Sequence, residues 1–217
     1  MTVRSIAIYS DVICPWCFVG KRRLERALDQ VGRRDGIEIA WLPFELNPDM
    51  PEAGMERSLY RARKFGAERS AMFDAQLAEL GKAEGISFAF DRIQRTPNTR
   101  RAHTLIAHAS ESGLVDALVE LLFRAYFEQG RDIGDDEVLV ELAAQAGLSS
   151  AEAREALGNP ATRGFVVETE REAAQLGVGG VPFFVIDGAR AVSGAQPAED
   201  WVRVLEESPS RGNVAAE

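Results

Sequence analysis

Polar and apolar residues alternate at the start of the chain and give way within a few residues to a helical rhythm. Val3 to Tyr9 places Ile6 and Ile8 on one face and reads as a strand. From Phe18 to Val31, Leu24, Leu28 and Val31 recur at helical spacing, which leaves Lys21, Arg22, Arg23 and Arg26 for a solvated face. Gly32 and Gly36 bracket the exit. Ile37 to Leu42 alternates again and closes at Pro43, as a second strand would. Strand, helix and strand in this order predict a parallel βαβ unit.

The middle of the chain is different. Between about Met55 and Gln175 the pattern is helical and offers no convincing strand. Leu118, Leu121, Leu122 and Tyr126 form one apolar face, and Val138, Leu139 and Leu142 begin another. Helix boundaries are expected at Gly85, Pro97, Gly113, Gly130, Gly147 and Gly158-Asn159-Pro160. Asp135-Asp136-Glu137 suits a helix start, where carboxylates meet the positive end of the dipole. Strands return with Val181 to Ile186 and Ala189 to Val192, a hairpin turning at Asp187-Gly188. Pro197 then stands where the first position of a last helix is expected. No internal repeat interrupts this order. The pattern predicts an α/β protein, one sheet built from 1–50 and 166–207 with a helical domain inserted at 51–165. The unpatterned stretch 208–217 reads as a flexible tail.

Composition changes this picture little. The chain has 217 residues, 46% hydrophobic and 27% charged, which is ordinary for a globular protein with a real core. A net charge of −9 argues against nucleic acid or an anionic membrane as partner. Charge and motif arrive too early at the N-terminus for a secretory segment, and no run reaches the length of a membrane span, so a cytoplasmic location is expected.

Cysteine changes it more. There are only two, and they stand together as Cys14-Pro15-Trp16-Cys17, between the first strand and the first helix. In a reducing compartment such a pair is catalytic or metal-binding more often than structural. Only a thiolate attacks a disulfide, and the N-terminus of a helix, with its unpaired N–H groups, favours one. Cys14 sits at that position, with Pro15 suited to the next, so Cys14 is expected to attack and Cys17, one turn further in, to resolve. The alternatives are half of a zinc site or an inert buried pair. Zinc takes about four ligands, and the chain's two histidines, His103 and His108, are five apart and fall on different sides of a helix.

The stretch SDVICPWCFVGKRRLERAL resembles the thioredoxin superfamily, and within it the DsbA-like branch and the FrnE-type dithiol–disulfide oxidoreductases. WLPFELNPDMP, PNTRRAH, GVGGVPFF and SGAQP follow in the order those proteins have them, so the resemblance runs from Ile6 to about Leu205. It implies a thioredoxin fold carrying an inserted all-helical domain. It also implies that Val181-Pro182 is the loop facing the two cysteines, with a cis proline. Backbone groups of Val181 would then face Cys14, open to an extended peptide or to glutathione by strand addition. Pro15 and Trp16 would tune thiol acidity and redox potential.

Other positions carry two readings each. Phe44, Glu45 and Asn47 form either a substrate-groove wall or a plain loop, and Asn98 and Thr99 either face the site or cap a helix. Asp11 reads as a turn former before a proton relay, His103 as structural before an acid–base group, and Lys21-Arg22-Arg23 as a solvated face.

The leading functional expectation is thiol–disulfide exchange on proteins or peptides. No cofactor is expected to be bound tightly; glutathione is a candidate co-substrate. With no third cysteine, the pair must be recharged by glutathione, a reductase or another external thiol. A glutathione-dependent isomerase or transferase, of the hydroxychromene-carboxylate isomerase or kappa type, is the alternative; those enzymes typically carry serine where Cys14 stands. A redox-independent holdase is a third reading.

Overall fold

Strand β1 (Ser5–Ser10) lies inside a four-stranded mixed sheet with β2 (Glu38–Pro43), β5 (Phe183–Ile186) and β6 (Arg190–Ser193), in the order β2-β1-β5-β6. The computed structural model describes residues 3–207, so the tail expected at 208–217 lies outside the described residues. β1 runs parallel to β2, with Ile6 opposite Ile39 and Ile8 opposite Trp41. It runs antiparallel to β5, with Ile8 opposite Phe184. Because strand side chains alternate between faces, Ile6, Ile8, Phe184 and Ile186 go to one core while Tyr9, Leu42, Phe183 and Val185 go to another. The βαβ unit is as the alternation predicts, and the closing hairpin turns at Asp187-Gly188 as expected. Asp187 and Gly188 both have positive φ, 49° and 69°, the backbone that a tight turn of this hand requires.

Helix α1 (Pro15–Gln30) begins three residues before the apolar periodicity does, with Cys14 as its N-cap. It packs on α9 (Ala198–Glu206), whose Trp201 meets Phe184 edge-on at 4.7 Å. Pro197 is the N-cap of α9 rather than its first residue.

The chain between β2 and β5 holds α2 (Arg57–Phe65), α3 (Ala67–Ala83), α4 (Arg100–Ser110), α5 (Val115–Phe127), α6 (Asp136–Ala146), α7 (Ser150–Gly158) and α8 (Pro160–Gln175). Each expected break falls between two of these elements or at a helix end. Asp135 caps α6 by accepting from the N–H groups of Glu137 and Val138. Asn159 caps α8 ahead of Pro160. One correction is needed. The middle is not purely helical: β3 (Met55–Glu56) pairs antiparallel with β4 (Arg95–Thr96), a ladder too short to leave a period in the sequence. The division expected at 165–166 falls inside α8, which packs on both α4 and β2.

A second correction concerns the basic run on α1. Lys21 is buried and lies within 3.5 Å of Asp116 and 3.2 Å of Glu120 on α5, besides pairing with Glu25. Arg22 also binds Glu25 and Glu120. Burial works against the Glu120 carboxylate, but the Arg22 hydrogen bond and the Lys21 charge outweigh it and hold its pKa below the usual range. Arg23 reaches Glu84, at the end of α3, and the Ala195 carbonyl. Period alone cannot separate a solvated charged face from one buried against charges of opposite sign. Glu84 takes Arg23 at 2.6 Å and Arg26 at 2.7 Å and is itself buried. Glu84→Gln therefore strips two guanidinium groups of their carboxylate and should lower stability by about 1–3 kcal/mol, read by denaturant unfolding.

Candidate active site

The site forms where β1 ends. Asp11 accepts the Cys14 N–H on its backbone carbonyl at 2.9 Å, turning the chain out of the strand. Cys14 then caps α1 in extended conformation, Pro15 follows at the helix start, and the Cys17 N–H bonds back to the Cys14 carbonyl at 3.0 Å. Pro15 suits that place because its missing N–H is one the helix leaves unpaired anyway. Both cysteines are free thiols.

Their surroundings differ. Cys14 Sγ lies 3.6 Å from the Val181 carbonyl and borders an open cleft of about 580 Å³. Cys17 is shut inside. Burial pushes its thiol well above the usual cysteine range, the neighbouring Cys14 adds to this, and Ser10 and the Asp11 backbone oppose it. Among the described residues, Ser10 Oγ is buried without a hydrogen-bond partner. One sulfur is thus presented and the other held protonated behind it.

The Val181–Pro182 peptide is cis. Pro182 approaches α1 so closely that a Cβ on Gly20 would stand 3.1 Å from its ring, so a glycine on the helix allows the loop to lie against it. The Pro182 carbonyl accepts the Gly194 N–H at 2.8 Å, tying this loop to the SGAQP segment.

Trp16 is 43% exposed at the mouth of the cleft. Across from it stand Arg61, Lys64, Phe65, Phe73 and Leu77, from α2 and α3, with Leu46 from the loop after β2. Arg61 is held by Asp74 and Ser70. Lys64 donates to Asn47 Oδ1 at 3.1 Å and Tyr60 Oη at 2.7 Å.

Of the residues selected from sequence, Cys14, Pro15, Trp16 and Val181 border the cleft together. Phe44 packs the other way, against the Tyr9, Ala173 and Val178 cluster. Asn47 contributes indirectly through Lys64 and Tyr60. Asn98 is committed elsewhere: its amide donates to the Met50 carbonyl at 2.7 Å, and its oxygen takes the Arg100 N–H at the start of α4. Thr99 is the N-cap of α4 without a side-chain cap bond. Asp11 is fully buried and accepts the N–H groups of Ile13 and Leu46, a turn former with a second anchoring duty. His103 is buried 3.6 Å from Asp11.

The aromatic side of the cleft was missed. Phe65 closes the strongly polar helix α2 and Phe73 stands exposed on α3, and an aromatic at the end of a run of basic residues was the available signal. Nothing in the spacing said that α2 and α3 turn them toward Cys14.

Comparison with known proteins agrees with this geometry. Residues 5–206 match the DSBA-like thioredoxin domain family. A crystal structure described as a probable DsbA oxidoreductase from Streptomyces coelicolor is 39% identical, covers 95% of this chain and 92% of its own, and superposes with a TM-score of 0.85. The cytosolic disulfide reductase DsbM of Pseudomonas aeruginosa, solved with GSH, is 25% identical over 93% of this chain and 97% of its own, with a TM-score of 0.64. A 2-hydroxychromene-2-carboxylate isomerase shares the fold at 15% identity, with a TM-score of 0.65 over 93% of this chain and 92% of its own.

Proposed function

This chain belongs to the DsbA-like thioredoxin family, and within it we propose a FrnE-type thiol–disulfide oxidoreductase that exchanges disulfides with protein or peptide substrates. The carrying observation is the unequal pair: both thiols are buried, Cys14 at 4% and Cys17 at 1% exposure, but Cys14 borders the cleft beside the Val181 carbonyl and Cys17 lies behind it with its thiol held above the usual range.

The Cys14 thiolate attacks one sulfur of the substrate disulfide; a Cys14–substrate bond forms and the other substrate sulfur leaves as a thiolate. Cys17 then loses its proton and attacks Cys14 sulfur, forming the Cys14–Cys17 disulfide and releasing the second substrate thiol. Run in reverse, the same steps oxidise a dithiol. The raised pKa of Cys17 keeps it from competing as a nucleophile in the first step. Val181 backbone groups offer an edge to an extended peptide, and Pro15 and Trp16 tune the pair. The likeness to a reductase solved with GSH supports glutathione as a co-substrate. With only two cysteines in the chain, recharging falls to glutathione, a reductase or another external thiol. A cytoplasmic workplace fits that cysteine usage. The isomerase reading shares the fold but gives Cys17 no task.

The test is covalent trapping. Cys17→Ser should accumulate a Cys14–substrate mixed disulfide with oxidised peptide or glutathione, seen by intact mass, where the wild type accumulates Cys14–Cys17. Titrating the wild-type pair in glutathione buffer gives the direction of electron flow: a potential near −270 mV marks a reductant and one near −120 mV an oxidant, by the usual range of such proteins. A Cys17→Ser protein that traps nothing, beside a wild type that forms no internal disulfide, overturns the reading.

A further inference from the structure

Beneath the cleft lies a buried charged cluster for which the exchange chemistry has no use. Three consecutive backbone N–H groups on the loop after β2 are held by three different acceptors. Phe44 donates to the Ser10 carbonyl at 3.1 Å, Glu45 to Glu170 Oε1 at 2.6 Å, and Leu46 to Asp11 Oδ2 at 2.7 Å. Leu46 is a wall of the cleft over Cys14. The same Asp11 turns the chain into Cys14 through its carbonyl. The strap 44–46 is thus pinned from α8 on one side and from the nucleophile's own turn on the other.

The charges do not balance by permanent groups. Asp11, Glu45 and Glu170 supply three carboxylates. Facing them from α4 are one guanidinium, Arg100, which holds Glu45 Oε2 at 2.7 and 2.9 Å, and the His103 imidazole, 3.6 Å from Asp11 Oδ1. Among the described residues, two atoms here are buried without a hydrogen-bond partner, Glu45 Oε1 and His103 Nε2. Buried carboxylates that outnumber their cations are relieved by taking up a proton.

We propose that Glu170 is a positioning residue for disulfide exchange: it shares a proton with Glu45, and that proton sets how firmly the 44–46 strap, and with it the Leu46 wall of the cleft, is held. Protonated, Glu170 keeps one oxygen for the Glu45 N–H and donates its O–H toward the unpartnered Glu45 carboxylate oxygen. Deprotonated, it places a second buried charge against Glu45, and the strap loosens. Burial and Glu45 push the Glu170 carboxyl up to about 7, against the lowering effect of His103. The sign follows. A carboxyl whose folded pKa is raised contributes stability that is fully present below the ordinary carboxylate range and is lost as pH rises through about 7.

This inference rests on the exchange reading for its activity arm, so the experiment has a second arm that does not. Glu170→Gln presents a carbonyl to the Glu45 N–H and an amide donor to its side chain, imitating the protonated form without titrating. Thermal unfolding of wild type and Glu170→Gln is followed from pH 5.5 to 8.5. Wild type should lose about 3–6 °C of Tm relative to the variant across that interval. In parallel, KM and kcat for peptide-disulfide exchange are measured over the same range, with Cys14→Ser as the blank. The wild-type KM should rise about threefold or more relative to that of Glu170→Gln between pH 6 and 8. Parallel Tm profiles would overturn the shared proton, whatever the enzyme does. Divergent Tm profiles with a constant ratio of KM values would overturn the coupling to the cleft. A wild type no faster than the Cys14→Ser blank would instead refute the exchange reading, leaving the Tm arm to decide the proton.

Discussion

Cys14→Ser is expected to slow dithiol-driven reduction of a protein disulfide by at least ~10³-fold, the scale on which removing a covalent nucleophile acts. The reason is covalent. A serine oxygen at this N-cap forms no bond equivalent to the Cys14–substrate disulfide, so the first intermediate cannot exist. Cys17 cannot substitute, because it does not border the cleft and its thiol is held well above the usual range. Folding should be spared, since a hydroxyl is close in size to the thiol and suits a helix N-cap better. Initial rates of insulin reduction, with unfolding midpoints measured alongside, check both halves. Cys14→Ser with full activity toward a small aromatic substrate and glutathione would sink the redox assignment and bring forward the isomerase reading. Holdase activity that survives loss of both cysteines would favour the third.

Phe18→Ala should cost about 3–5 kcal/mol, the range for deleting a buried aromatic side chain. Phe18 follows Cys17 directly and is fully buried. Its ring stacks on Phe123 at 5.0 Å and 8°, lies 6.3 Å from Phe127, and meets Phe88 edge-on at 6.1 Å. The Arg22 guanidinium stands 4.8 Å from its centroid. Those partners belong to α5 and the segment after α3, so this one ring joins the active-site helix to the inserted helices. Truncation leaves a cavity whose walls belong to different packed helices and cannot easily collapse. Phe18→Leu keeps most of the volume and should cost markedly less. Denaturant unfolding of the pair decides it; a loss below about 1.5 kcal/mol for the alanine variant would mean that Phe18 is not the joint described.

Much of this was readable along the chain because the signals were local. Alternation marked the faces of β1, and Asp187-Gly188 marked the turn between β5 and β6. Asn159-Pro160 and Asp135 marked helix starts through backbone groups a few residues away. The cysteine spacing, with proline at the helix start, placed the chemistry. Each of these depends on neighbours within about one helical turn or one strand pair, which a sequence window contains.

What the tertiary structure alone decided involved partners far apart in the chain. Lys21 looked solvated because its period was right for it, yet Asp116 and Glu120 bury it; a charge's partner is invisible until two helices pack. Asn98 proved to anchor the Met50 carbonyl and Phe44 to pack, partly buried, against the Tyr9 cluster, because orientation, not proximity to a motif, sets what a side chain meets. The aromatic wall opposite Trp16 and the Glu45–Glu170 contact, 125 residues apart, arise only when α2, α3 and α8 close over the end of the sheet. The sequence by itself therefore determined the four strands of the main sheet, several helix starts and the cysteine pair. Packing between distant segments decided what the cleft beside Cys14 is made of and which buried charges hold its wall.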